Sequence, residues 1–143
     1  DSWADVAKGR MGLIIILDQF SRMLYRGTGR AFAQDAKARE LCIEGLERGQ
    51  DKRLSPIERV FFYLPMMHSE SLEDQDRCVA LLSQLAEDVP PEGKQAIESN
   101  IDYGVRHRDV IREFGRFPHR NKALGRENTP EEELYLKQPG AGF

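Results

Sequence analysis

The chain has little cysteine and no long apolar run, and each shortage excludes a class of protein. Only two of its 143 residues are cysteines. Cys42 and Cys78 lie within helical patterns and show no CxxC or scaffold spacing, which excludes a disulfide-stabilised secreted domain. The longest unbroken apolar run is Leu13–Leu17, far short of the ~20 residues of a membrane span. With no visible signal peptide, we predict a cytoplasmic protein that has no membrane partner and keeps two buried thiols.

Period-two alternation is also absent, whereas signals of helix ends are frequent. Residues 55–58, Ser-Pro-Ile-Glu, form a capping box with proline at the first helical position, and Thr-Pro-Glu-Glu at 129–132 repeats it. Apolar periodicity predicts helices near 2–25, 31–48, 56–68, 72–87, 94–114 and 130–137. Short loops favour antiparallel helix pairs, arranged as a bundle or a helical array. We therefore predict an all-α fold of about six helices in a single domain over 1–143. Because the chain opens at Asp1 and soon enters a helix-like pattern, we expect a native N-terminal segment to be missing.

Two local patterns lead to more specific expectations. Pro65 should kink or end the third helix, because proline cannot donate to the helical ladder and crowds the preceding turn. The first helix should bury one apolar face and carry a second on its far side, where Met11 and Ile15 lie. The main face contains Val6, Leu13, Leu17, Phe20 and Leu24.

Polar motifs follow the predicted ends of the first, third and fifth helices. If successive helices alternate in direction, these ends share one edge, and all three histidines of the chain lie in this set. The candidate site residues there are Asp18, Arg22, Arg26, His68, Glu70, His107, Arg108, Arg116, His119, Arg120 and Asn121. We predict that this edge holds a site for a small anionic or polar molecule.

Helical phase distinguishes inward from outward side chains in this set. In the fifth helix His107 and Arg108 face inward, whereas Arg106 and Asp109 face solvent. An inward guanidinium is costly unless it is paired, so a carboxylate or a bound anion should meet Arg108. Asp18 and Arg22, four residues apart, can form an intrahelical ion pair. That pair could be structural, a wall of the site, or both.

The residue types at this edge suit acid–base chemistry more than metal binding. His68, His119 and Glu70 are the candidate catalytic groups, because histidine titrates near neutrality and a carboxylate can orient it. The arginines would hold an anion. No HxxxH or HxH pair is present, so we predict neither a metal nor a cofactor. The net charge of −3 argues against nucleic acid as a partner.

Several of these motifs together resemble a known bacterial family. They are Asp18-Gln19-Phe20-x-Arg22, Tyr25-Arg26-Gly27-Thr28, Ala31-Phe32-Ala33, His68-Ser69-Glu70, Arg106-His107 and Gly115-Arg116-Phe117-Pro118-His119-Arg120-Asn121, continuing through Leu124-Gly125-Arg126. The chain is similar over nearly its whole length to domain-of-unknown-function family 924. The resemblance implies a tetratricopeptide-like all-helical fold and a further N-terminal segment with aromatic residues. It implies no function.

Three interpretations of the polar edge remain. The first is a pocket for a small ligand, in an enzyme or a binding protein. The second is a tetratricopeptide-like scaffold that binds a protein or a peptide, which rests on fold analogy alone. The third is a buried structural network with no ligand.

Overall fold

The computed structural model describes residues 2–143, and no strand occurs among them. The all-α prediction is confirmed, while a tetratricopeptide-like arrangement stays a prediction. The α-helices are α1 (Ala7–Ile15), α2 (Ser21–Leu24), α3 (Asp35–Glu47), α4 (Pro56–Met67), α5 (Leu72–Asp88), α6 (Pro91–Phe114), α7 (Asn121–Leu124) and α8 (Pro130–Leu136). A π-helical segment, Ile16–Phe20, joins α1 to α2. Short 3-10 turns cover Ser2–Asp5, Gly29–Phe32, Gln50–Arg53 and Pro118–Arg120.

Both predicted capping boxes are formed. The Ser55 backbone N–H donates to Glu58 Oε1 at 2.9 Å, and α4 begins at the next residue. The Thr129 N–H donates to Glu132 Oε1 at 2.9 Å, and the Glu132 N–H donates to Thr129 Oγ1 at 3.1 Å. Gly115 ends α6 in the left-handed region, at φ 73°. These local signals therefore fix where α4 and α8 begin and where α6 ends.

The main core lies between α1, α3, α4, α5 and α6. Phe62 and Met66 of α4 and Leu82 of α5 are fully buried in it. Gly104 of α6 faces this core, where a Cβ would make ordinary van der Waals contact with Met67 Cε, at 3.4 Å. A smaller cluster around Phe117 packs beneath α8. In the part of the chain from Ser2 onward, no helix has the length and apolar character that crossing a membrane requires.

The predicted apolar face of the first helix is wrong. Val6, Phe20 and Leu24 are exposed, at 59%, 48% and 73%, whereas Leu13 and Leu17 pack only partly buried against the core. The inward stripe consists of Ala7, Arg10, Ile14, Asp18 and Ser21. The shift is one position along the helix and is already present at Ala7, Arg10 and Ile14, ahead of the π-helical segment. The inward stripe includes two charged residues, Arg10 and Asp18, which a pattern of apolar residues does not contain. Asp18 points into the protein at 1% exposure.

The expected end at Pro65 is not observed, because α4 continues to Met67. The carbonyl that proline leaves without its helical partner is the one four residues earlier, on Phe61. Phe61 is 38% exposed, so water can reach that side of the helix. The helix therefore persists and delivers His68 to the polar edge.

Candidate functional site

The structure brings the three polar motifs together at one edge of the helices. Asp18 comes from the π-helical segment, His68 follows α4, and Arg120 lies in the 3-10 turn after α6. Asp18 contacts His68, and Arg120 donates to the His68 carbonyl at 2.8 Å. The shared edge expected from alternating helices therefore exists as direct contacts between the motifs.

Asp18 and His68 form a carboxylate–imidazole pair. His68 Nδ1 lies 2.8 Å from Asp18 Oδ1. Burial alone would raise the pKa of Asp18, but the charge and hydrogen bond of His68, followed by the charge of Arg22, lower it. The carboxylate therefore stays ionised and fixes the ring, so Nε2 is the His68 nitrogen left for another partner.

Two arginines share the carboxylate of Asp35. Arg22 donates to both of its oxygens, at 2.7 and 2.9 Å, and also to Asp18 Oδ1 at 3.1 Å. Arg120 Nη1 lies 3.6 Å from Asp35 Oδ2, and its guanidinium packs against Phe32, 4.6 Å from the ring centroid. Burial, only partly offset by Asp35, lowers the pKa of Arg120 to about 10. Arg120 is therefore a buried cation with less than a full counter-charge.

Two buried nitrogen atoms at this edge have no hydrogen-bond partner among residues 2–143: Arg120 Nε and His119 Nδ1. Arg120 is 7% exposed. Most buried polar atoms in proteins are hydrogen-bonded, and leaving one unpaired costs free energy. An acceptor or donor from outside the chain would satisfy these two atoms.

His107 faces inward, as the helical phase predicts, and lies among aromatic rings. Its Nδ1–H donates to the Tyr103 carbonyl at 2.8 Å, and its ring stacks on Phe143 with centroids 3.8 Å apart. Burial lowers the pKa of His107 to about 3. Burial and the charge of Arg120 lower the pKa of His119 to about 4. Both imidazoles are therefore neutral at pH 7.

Two adjoining cavities open between these side chains. The inner cavity has a volume of about 150 Å³ and the outer one about 480 Å³. The inner cavity is lined by Arg22, Phe32, His68, Tyr103, His107, Phe117, His119, Arg120 and Phe143. The outer cavity shares five of these residues and adds exposed Arg26. Over the described range, no group of three histidine, cysteine, aspartate or glutamate residues is arranged to hold a metal ion.

The sequence of residues 1–140 matches the model of a family described as bacterial protein of unknown function (DUF924). The chain belongs to the DUF924 family. It is similar to a solved structure, titled as a protein of unknown function from Agrobacterium tumefaciens, with 39% sequence identity and a TM-score of 0.83. That similarity covers 96% of this chain and 72% of the other. Among curated proteins, none matches this chain.

Five candidate residues of this DUF924 protein do not line the two cavities. One of them, Asp18, contacts the lining residue His68. Arg116 forms two hydrogen bonds with Glu132, at 2.7 and 2.9 Å, and this interaction lowers the pKa of Glu132 to about 2. Arg108 lies on the α5 side, 3.9 Å from Asp76. The remaining two are Asn121, which donates to Asn128, and Glu70, which accepts from Arg126 and from the Phe117 N–H. A carboxylate of the protein therefore lies near Arg108, although Arg108 Nε has no hydrogen-bond partner among residues 2–143.

Sequence reasoning missed three residues that shape the DUF924 site. Asp35 joins Arg22 to Arg120, and Arg126 holds Glu70 at 2.9 and 3.1 Å. Phe143 borders both cavities. Asp35 lies in the first turn of a helix, where acidic residues are common for local reasons, and nothing near Phe143 in sequence indicates a wall. Of the three, only Arg126 could have been found from the sequence, because it belongs to the Leu124-Gly125-Arg126 motif of the family resemblance.

Proposed function

We propose that this chain binds a small anionic or polar molecule in the inner cavity. The observation that carries the proposal is the pair of buried, unpartnered nitrogens, Arg120 Nε and His119 Nδ1, on residues that line the same space. The partly compensated charge of Arg120 favours an anion there. An oxygen of the ligand would accept a hydrogen bond from Arg120 Nε and form a second hydrogen bond with His119 Nδ1.

His68 is the proton-transfer group of the proposed site. Asp18 holds Nδ1, and this leaves Nε2 for the ligand, the arrangement by which a carboxylate orients an imidazole in acid–base catalysis. His119 stays neutral and serves as a hydrogen-bonding group. Glu70 has no role in the proposal because Arg126 and the Phe117 N–H already occupy its carboxylate.

Two free thiols in the main core support a reducing, cytoplasmic location as part of the proposal. Cys42 and Cys78 are free and buried, and burial raises the pKa of Cys78 to about 12. A single domain over 1–143 and the absence of a nucleic-acid partner belong to the same proposal. A peptide-binding scaffold stays an alternative prediction.

Calorimetric titration with acetate, inorganic phosphate and neutral acetamide tests the proposal. We expect the anions to bind more tightly than acetamide. The design uses paired substitutions, because the Asn side-chain amide reaches the position of histidine Nδ1 and the Gln amide reaches that of Nε2. His119→Asn should therefore retain more affinity than His119→Gln, whereas His68→Gln should retain more than His68→Asn, each by about tenfold for one charge-assisted hydrogen bond.

Arg112→Gln is the matched control for charge, because Arg112 is 55% exposed and lies outside both cavities. It should leave the affinity for anions unchanged. The proposal is wrong if neither anion binds the wild-type chain. It is also wrong if the Asn and Gln variants have equal affinity for the anions at both His119 and His68. Circular dichroism of each variant separates lost binding from lost folding.

A further inference from the structure

The walls of the inner cavity consist largely of rings. Seven of its nine lining residues carry one: Phe32, His68, Tyr103, His107, Phe117, His119 and Phe143. Phe143 stacks on His107 with an interplanar angle of 17°, and Phe117 meets His107 edge-on at 78°. Such a wall offers both stacked and edge-to-face positions to a further ring.

The size of the inner cavity suits one six-membered ring. Its volume is about 150 Å³, and an apolar cavity of about that volume in another protein accommodates benzene. The two inward histidines are neutral at pH 7, since burial depresses their pKa values to about 3 and about 4. The imidazoles therefore add aromatic surface without adding charge.

The outer cavity has a different character. No aspartate or glutamate is among its lining residues, which include Arg22 and Arg26. Arg22 is already held by Asp18 and Asp35, whereas Arg26 forms no ion pair with any residue from Ser2 to Phe143. An anionic group in the outer cavity would therefore lie near the guanidinium of Arg26, which has no ion-pair partner within residues 2–143.

From these two environments we infer that the ligand is a planar aromatic or heteroaromatic ring bearing a carboxylate or a phosphate. The ring lies in the inner cavity, where an oxygen or nitrogen on its edge accepts from Arg120 Nε in place of the small anion of the proposed function, and the anionic group lies in the outer cavity near Arg26. Phe143 borders both spaces and selects for planarity. This inference rests on the proposed function and adds the class of ligand to it.

Calorimetry with two matched carboxylate pairs tests the ring. The pairs are 4-hydroxybenzoate against 4-hydroxycyclohexanecarboxylate and 3-(4-hydroxyphenyl)propionate against its saturated-ring analogue. The members of each pair share charge, hydroxyl group and chain length and differ in planarity. Of the two aromatic carboxylates, we expect the one that binds more tightly to exceed its saturated analogue in affinity by about tenfold, because the saturated ring loses the stacking and edge contacts.

Two variants assign the effect to the residues. Phe143→Leu keeps an apolar wall but removes the ring, so it should reduce the aromatic-to-saturated affinity ratio toward one. Arg26→Gln should weaken both members of a pair by the same factor and leave the ratio unchanged, and Arg112→Gln should change neither quantity.

Equal affinities within both pairs, or a ratio that Phe143→Leu leaves intact, would overturn the inference. If acetate and phosphate still bound in that case, with the expected histidine dependence, the proposed function would stand without the ring. If no anion bound at all, both would fall. Thermal melting of Phe143→Leu shows that any loss of selectivity occurs in a folded chain.

Discussion

Acidification from pH 7 to pH 5 should destabilise the protein through His107. The folded chain holds the pKa of this imidazole near 3 because the ring is buried, whereas the unfolded chain has the ordinary value of 6.5. At pH 5 the unfolded imidazole binds a proton that the folded one does not. Because the pKa is depressed in the folded chain, the contribution of His107 to the free energy of unfolding is fully present above pH 6.5. This contribution is lost as pH falls toward the pKa of the folded chain. His107 alone should lower the free energy of unfolding by about 2 kcal/mol at pH 5.

Urea unfolding at pH 7 and pH 5 measures this loss in the wild type and in His107→Leu. The variant loses the titrating group, so its difference between the two pH values should be about 2 kcal/mol smaller. Phe62→Leu is the control, because it alters the buried core but removes neither a titrating group nor a ring that packs on His107, and it should lower stability about equally at both pH values. The carboxylate of Asp18 has a pKa below 3.8, so its contribution changes below this window.

An unchanged pH difference in His107→Leu would refute the reasoning. It would mean that the folded imidazole takes up the proton as readily as the unfolded one, and therefore that the ring is hydrated. The slope of stability against pH is a better measure than either stability alone, because the leucine substitution also alters packing.

Two further predictions concern the core. Gly45→Ala should destabilise the protein by about 1–2 kcal/mol, because the added Cβ would overlap Phe62. Gly12→Ala should stabilise α1 by up to ~1 kcal/mol, because nothing lies within 4 Å of the added Cβ. Equal effects of the two substitutions on the free energy of unfolding in chemical denaturation would contradict this. Cys42 and Cys78 should resist a thiol reagent at pH 8 in the native chain and react fully in urea, since burial raises both pKa values. Labelling of the native chain at the rate of a free thiol would show that the core opens.

The parts of the fold that depend on neighbours in sequence could be predicted. The capping boxes at Ser55 and Thr129 lie within four residues of their partners, and the helix ends follow from them. The orientation of the first helix could not be predicted, because its inward stripe includes two charged residues, Arg10 and Asp18, and apolar periodicity does not identify them as buried. The buried Arg10 shows the same limit: its partners Gln50 and the Leu41 carbonyl are distant in sequence.

The candidate site was predictable as a location but not as a set of pairings. Placing the histidines at one edge needed only helix order. Distinguishing the arginines that are paired within the protein from those that are not requires the partner of each arginine. These partners are not neighbours in sequence: Glu132 pairs with Arg116, and Asp35 lies near Arg120. Sequence patterns record side-chain types, whereas the charge left over after pairing is a property of the tertiary structure.

The two cavities have walls drawn from the whole length of the fold, from Gln19 beside α1 to Phe143. Contacts of such long sequence separation form late in folding, because closing a long loop costs entropy before the contact repays it. A molecule bound there would therefore act mainly on the unfolding rate and leave the folding rate nearly constant. Such a molecule would join the region around α2 to the residues that follow α8, so amide hydrogens in these two segments would exchange more slowly together.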